Sequence, residues 1–154
     1  MSKFAGFVKY WLPLLVWMAV IFAASSDTRS FQHSSRIIAP LLRWLFPHIA
    51  DKTVDLAVFI ARKCAHVTEY AVFALLVWRV LRKPARGEPR PWDWRQAGLT
   101  LLIVFLYAAG DEFHQRFVPT RTPRVHDVVI DTLGGAAALL ALRIIHFRQR
   151  HLET

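Results

Sequence analysis

The sequence predicts an all-α protein, an integral membrane four-helix bundle with an interfacial amphipathic helix between helices 1 and 2. Three observations lead there. Of the 154 residues, 55% are hydrophobic and 13% aromatic, more than an ordinary soluble domain carries. The apolar residues gather into four runs, about 5–25, 56–80, 96–113 and 127–147, each of a length that can cross roughly 30 Å of hydrocarbon. The Lys and Arg residues punctuate those runs instead of lining one face or forming an arm. A net charge of +9 raises nucleic acid as a partner, but cations placed at the ends of apolar runs are how an inner-membrane protein carries them. The expected partner is therefore membrane lipid, with no nucleic acid, and residues 1–154 read as a single membrane domain.

The first run is uncharged from Tyr10 to Ala24. Lys3 and Lys9 before it and Ala-Ala-Ser at its end also give it the outline of a signal peptide. The company of three further apolar runs favours a retained first spanning helix, with Pro13 tolerated in an early turn. Between Asp27 and Asp51 the composition is mixed. Ile37, Ile38, Leu41, Leu42, Leu45 and Phe46 recur at helical spacing while Arg36 and Arg43 fall on other faces, so this segment is expected to lie in the membrane interface with Trp44 at headgroup depth. Pro40 and Pro47 are expected to bound or bend it.

The second spanning run is apolar from Ala71 to Trp78 but polar before that, with Asp55, Arg62, Lys63, His66, Glu69 and Tyr70. Spacings of three and four put Arg62, Lys63, His66, Glu69 and Tyr70 on one helical face. Tyr70 then falls near mid-membrane and Lys63 about 10 Å further out, at 1.5 Å per residue. Ionisable groups at such depths cost roughly 2.5 to 3.5 kcal/mol each, so they should face the bundle interior. A proline-rich basic linker, Arg82 to Arg95, separates this run from the third. The fourth run contains Gly134, Gly135 and Ala136 to Ala138, a small-residue face that another helix can approach closely. Cys64 is the sole cysteine and reads as a packing residue.

Four crossings put both termini on one side. Eleven of the twenty Lys and Arg fall on that side and seven on the other, with Arg62 and Lys63 inside the second spanning run. The excess predicts cytoplasmic termini and an inner-membrane location. The stretch from Tyr107 to Asp131, dense in acids, bases and histidines between two apolar runs, then faces outward.

That topology should bring Lys63 and His66, Asp111, Glu112 and Gln115, and Asp127 and Asp131 to one level, with Arg121 between Pro119 and Pro123 in the connecting loop. Asp111 with Gln115, and Asp127 with Asp131, are each one helical turn apart. Such a set admits three chemistries: oxygen and imidazole ligands for a divalent metal, acid and base work by Asp111 and Glu112, or capture of a phosphate or carboxylate by Arg121 and Lys63. The bland alternative is a structural ion-pair network in which Lys63 and Arg121 neutralise Asp111 and Asp131 while Asp127 caps the fourth helix. No Cys-x-x-Cys pair, His-Glu-x-x-His motif or glycine-rich phosphate loop occurs.

Lys63-x-x-His66-x-x-x-Tyr70, Asp111-Glu112-x-His114-Gln115-x-Phe117-Val118-Pro119-x-Arg121 and Asp127-x-x-x-Asp131-x-x-Gly134 together resemble the VanZ-like family of small bacterial membrane proteins. Ser25-Ser26 is similar to that family's serine pair. Thr120 stands where the family often has glycine, and Asp131 where asparagine is common. The resemblance implies a polytopic membrane protein and, through the protein for which the family is named, an association with resistance to the glycopeptide teicoplanin. It names no reaction, and whether the chain is an enzyme stays open. The expected function is binding or modification of a cell-envelope lipid or lipid-linked glycan. Catalytic roles would fall to His66, Asp111, Glu112 and Asp127, and substrate binding to Lys63, Tyr70, Gln115, Arg121 and Asp131. The alternatives are a non-catalytic resistance or binding factor and a proton-linked transport component.

Overall fold

The structure, a computed structural model, describes residues 3–26, 30–83, 91–118 and 124–152. These form five helices: α1 (Lys3–Ser26), α2 (Ser30–Leu45), α3 (Asp51–Arg82), α4 (Trp94–Gln115) and α5 (Val125–Leu152). Four of them, α1, α3, α4 and α5, are long and apolar enough to cross a membrane. The protein is thus an all-α membrane protein.

Each spanning helix extends past the expected apolar run. α3 begins at Asp51 although the run was read from about residue 56, because Ala50 starts it in an extended conformation and Thr53 and Val54 bond back to its carbonyl at 2.9 and 3.2 Å. At its far end Lys83 adopts a left-handed conformation (φ 40°) and its N–H closes on the Arg79 carbonyl at 3.0 Å, immediately before Pro84. Asp93 caps α4, its carboxylate accepting from the N–H groups of Arg95 and Gln96 at 2.9 and 3.2 Å. Pro13 lies well inside α1, not in an early turn. It deprives the Lys9 carbonyl of its helical donor, which a spanning helix accommodates through its neighbours.

α3 is the central element and touches each of the other four helices. Tyr70, Phe73, Ala74 and Val77 are buried at its middle with Ile21 of α1 and Val104 and Ala108 of α4. The outward faces are apolar instead of polar: Val16 and Val20 on α1, Leu102 and Phe105 on α4, and Leu140 and Ile145 on α5 are all exposed. Such a surface suits hydrocarbon. With lipid outside, apolar burial no longer drives helix association, and close packing takes over. Gly134 supplies it: a Cβ at this position would sit 2.6 Å from the Val67 carbonyl oxygen, so α3 and α5 cross backbone to backbone. A Cβ at Gly135 would instead meet side chains, Val104 at 3.1 Å and Ala74 at 3.3 Å.

α2 covers the N-terminal part of α3. Ala39, Ile38 and Leu42 pack on Val54 and Val58, while Ile37, Leu41, Trp44 and Leu45 stay exposed on its other apolar side. Pro40 lies within this helix and Pro47 just beyond it. Arg43 reaches Asp51 at 2.8 Å, tying the end of α2 to the start of α3.

Candidate functional site

The polar residues of α3, α4 and α5 meet at one end of the bundle, in a buried floor and a half-buried rim. Asp111, Gln115, Asp131, Ser25 and Tyr70 form the floor, at 7%, 6%, 5%, 2% and 0% exposure. Asp111 and Gln115 project from one face of α4, as their spacing requires. The Gln115 amide donates to Asp111 Oδ2 at 3.1 Å and to Ser25 Oγ at 2.7 Å, so the last turn of α1 belongs to the site. Asp111 Oδ1 and the Tyr70 hydroxyl are buried without a hydrogen-bond partner among the described residues. Tyr70 lies within the electrostatic reach of Asp111 and Asp131, and Asp131 within that of Asp127, Asp111, Lys63 and Glu112.

Lys63, Asp127 and Glu112 make the rim. Lys63 pairs with Asp127, both side chains about a quarter exposed. Glu112 lies about 100° around α4 from Asp111 and accepts from the Arg124 backbone N–H at the entry to α5. Asp111 and Glu112 therefore face different neighbours. His66 faces Glu69 on its own helix, Nδ1 to Oε2 3.6 Å. Arg121 lies outside the described residues.

Two features of the ion-pair reading are corrected. Lys63 salt-bridges Asp127, not Asp111 or Asp131, because Asp127 sits in the first turn of α5, level with Lys63, whereas Asp131 is one turn further along the helix. Asp127 does not cap α5. It is the third residue of that helix, its own N–H bonded to the Arg124 carbonyl at 2.8 Å. Among the described residues no three His, Cys, Asp or Glu side chains are grouped to hold a metal ion.

Sequence reading underrated the contribution of α1. Trp17 Nε1 donates to the Glu69 carbonyl at 2.9 Å, and the Tyr107 hydroxyl donates to the Met18 carbonyl at 2.7 Å. Ser26 Oγ lies 3.2 Å from His114 Nε2, and the Phe22 ring packs on that imidazole with centroids 4.6 Å apart. The signal was present in Ser25-Ser26, two hydroxyls closing an otherwise apolar run, and in His114 within the acidic motif.

Helices that turn an apolar surface outward and gather carboxylates, an amide and a lysine inward define a polytopic membrane protein with a buried polar site. The VanZ/LLP1 family model matches residues 10–146, a span that includes every site residue named above. The chain belongs to the VanZ/LLP1 family. Searches of curated proteins and of solved structures find no match.

Proposed function

We propose that the polar cluster binds, and in an enzymatic form modifies, a cell-envelope lipid or lipid-linked glycan, from the outer side of the inner membrane with both termini cytoplasmic. The observation that carries this reading is the floor of the cluster: Asp111 and Asp131 buried beside Tyr70, with one Asp111 oxygen and the Tyr70 hydroxyl without a hydrogen-bond partner among the described residues. A bundle that served only as an anchor gains nothing from acids at such depth, each costing roughly 2.5 to 3.5 kcal/mol. Burial also strengthens whatever these groups hold, since charge interactions grow as water is excluded.

In this reading the Lys63–Asp127 pair marks the mouth, where a substrate phosphate would compete with Asp127 for the ammonium. Arg121, which falls between α4 and α5 in the sequence, supplies a second cation for the same anionic headgroup. Asp111 or Glu112 acts as base, Gln115 holds Asp111 in position, and His66 acts as acid, in a hydrolysis or group transfer. The test is reconstitution of the purified protein with envelope lipids, followed by analysis for product. Asp111→Asn and Glu112→Gln should lower turnover by about 10²-fold or more. Turnover equal to wild type in both variants would remove the enzymatic form.

A non-catalytic resistance or binding factor is the second reading, favoured by the hydrogen bonds that tie Asp111, Gln115 and Ser25 to one another. It predicts ligand binding without product, tolerant of Asp111→Asn but lost with Arg121→Gln.

A further inference from the structure

We propose that the end of the bundle opposite the polar cluster is a built site for the phosphate headgroup of an anionic phospholipid. It lies where α3 ends and α4 begins, about 18 Å along α3 from Tyr70 at 1.5 Å per residue, and does not depend on the function proposed above.

The site is assembled from tryptophans and arginines on three elements. Trp78 of α3 stacks on Trp92, centroids 4.6 Å apart and planes 26° from parallel, and Trp92 meets Trp94 edge-on at 5.9 Å. Arg82 lies over the Trp78 ring at 5.0 Å, and Arg143 of α5 over the Trp94 ring at 4.4 Å. The result is a ladder of cation, three indoles and cation running from α3 to α5. Beside it is a cavity of about 390 Å³ lined by Arg82, Trp92, Trp94, Arg95 and Gln96.

Charge and hydrogen bonding at this end point to an oxyanion. Among the described residues neither Arg95 nor Arg143 forms an ion pair. The acid on the cavity wall, Asp93, turns its carboxylate to the N–H groups that open α4. Arg82 gives one N–H to the Pro91 carbonyl at 2.8 Å, whereas Arg143, its guanidinium over the Trp94 face, presents edge donors that a phosphate matches in two-pronged fashion. The Trp92 indole N–H, buried without a partner among the described residues, adds a donor at the wall. Trp residues collect at headgroup depth, where the phosphates of the bilayer also lie. One turn inward from Arg95 and Arg143 the exposed residues are Leu99 and Leu140, a surface for acyl chains. This apolar continuation favours a phospholipid over free phosphate, and basic pockets between spanning helices are suited to such headgroups.

The test is native mass spectrometry of the full chain released from detergent with equal amounts of phosphatidylglycerol and phosphatidylcholine. Wild type should retain phosphatidylglycerol in preference, and Arg95→Gln and Arg143→Gln should each weaken that binding about fivefold. Arg79→Gln, a cation at the same end placed over Tyr10 and away from this cavity, should leave it unchanged. Equal retention of the two lipids, an Arg79→Gln loss as large as that of Arg95→Gln, or displacement of the lipid by an equal concentration of inorganic phosphate would overturn the proposal.

Discussion

Replacing Gly134 with alanine tests the packing on which the site depends. The added methyl would lie 2.6 Å from the Val67 carbonyl oxygen, 3.2 Å from its Cα and 3.3 Å from its carbonyl carbon. A comfortable C···O contact is about 3.3 Å, so the backbones must part by about 0.7 Å. The obstacle is main chain inside a helix and cannot rotate aside. Overpacking of this kind costs about 1–3 kcal/mol, against which alanine's better helix propensity returns at most about 1 kcal/mol. Gly98→Ala is the control, because a methyl there meets nothing within 4 Å and only the propensity term applies. Thermal unfolding in one detergent should place Gly134→Ala below Gly98→Ala by roughly 2–12 °C. Lipid or ligand binding at the Lys63–Asp127 rim should weaken as well, since that pair bridges the same two helices two turns away. A Gly134→Ala protein that melts as high as Gly98→Ala would show that α3 and α5 are not in backbone contact, and the argument from close packing would fail.

Other perturbations address the polar residues and the topology. Gln115→Leu removes the donor that serves Asp111 and Ser25 and should destabilise by about 1–3 kcal/mol, read as a fall in melting temperature. Lys63→Met should cost more stability than Lys63→Met with Asp127→Asn, because the single change leaves a carboxylate without its counter-charge; equal losses would argue against the pair. Trp17→Phe should lose about 0.5–1.5 kcal/mol through its bond to the Glu69 carbonyl, in addition to the packing lost with the smaller ring. On a Cys64→Ser background, Thr120→Cys should react with a membrane-impermeant maleimide in intact spheroplasts, and Glu88→Cys only after lysis. The reverse pattern would invert the orientation drawn from the charge count.

Much of this architecture can be read from composition and period alone. Four apolar runs of spanning length leave few alternatives, since an unpaired backbone is not tolerated in hydrocarbon and a helix satisfies its own hydrogen bonds. The amphipathic character of α2 followed from its periodic apolar residues beside Arg36 and Arg43. Gly134 and Gly135 marked a close helix contact, although not which helix would make it. The spacing of Asp111 and Gln115 likewise put them on one face, because helical geometry is local.

Partners across helices are a different matter, since they depend on rotation and depth that no local pattern encodes. Only the packed bundle decided that Lys63 meets Asp127 instead of Asp111, and that Glu112 turns to the start of α5 while Asp111 turns inward. It also decided that Ser25, close to ninety residues before Gln115 in the chain, completes the polar floor. The physical reason lies in what sets each choice. Hydrogen bonding along a helix and the length of an apolar run are properties of the segment itself. The backbone contact at Gly134 sets how α3 and α5 cross, and that crossing determines which charges can reach each other.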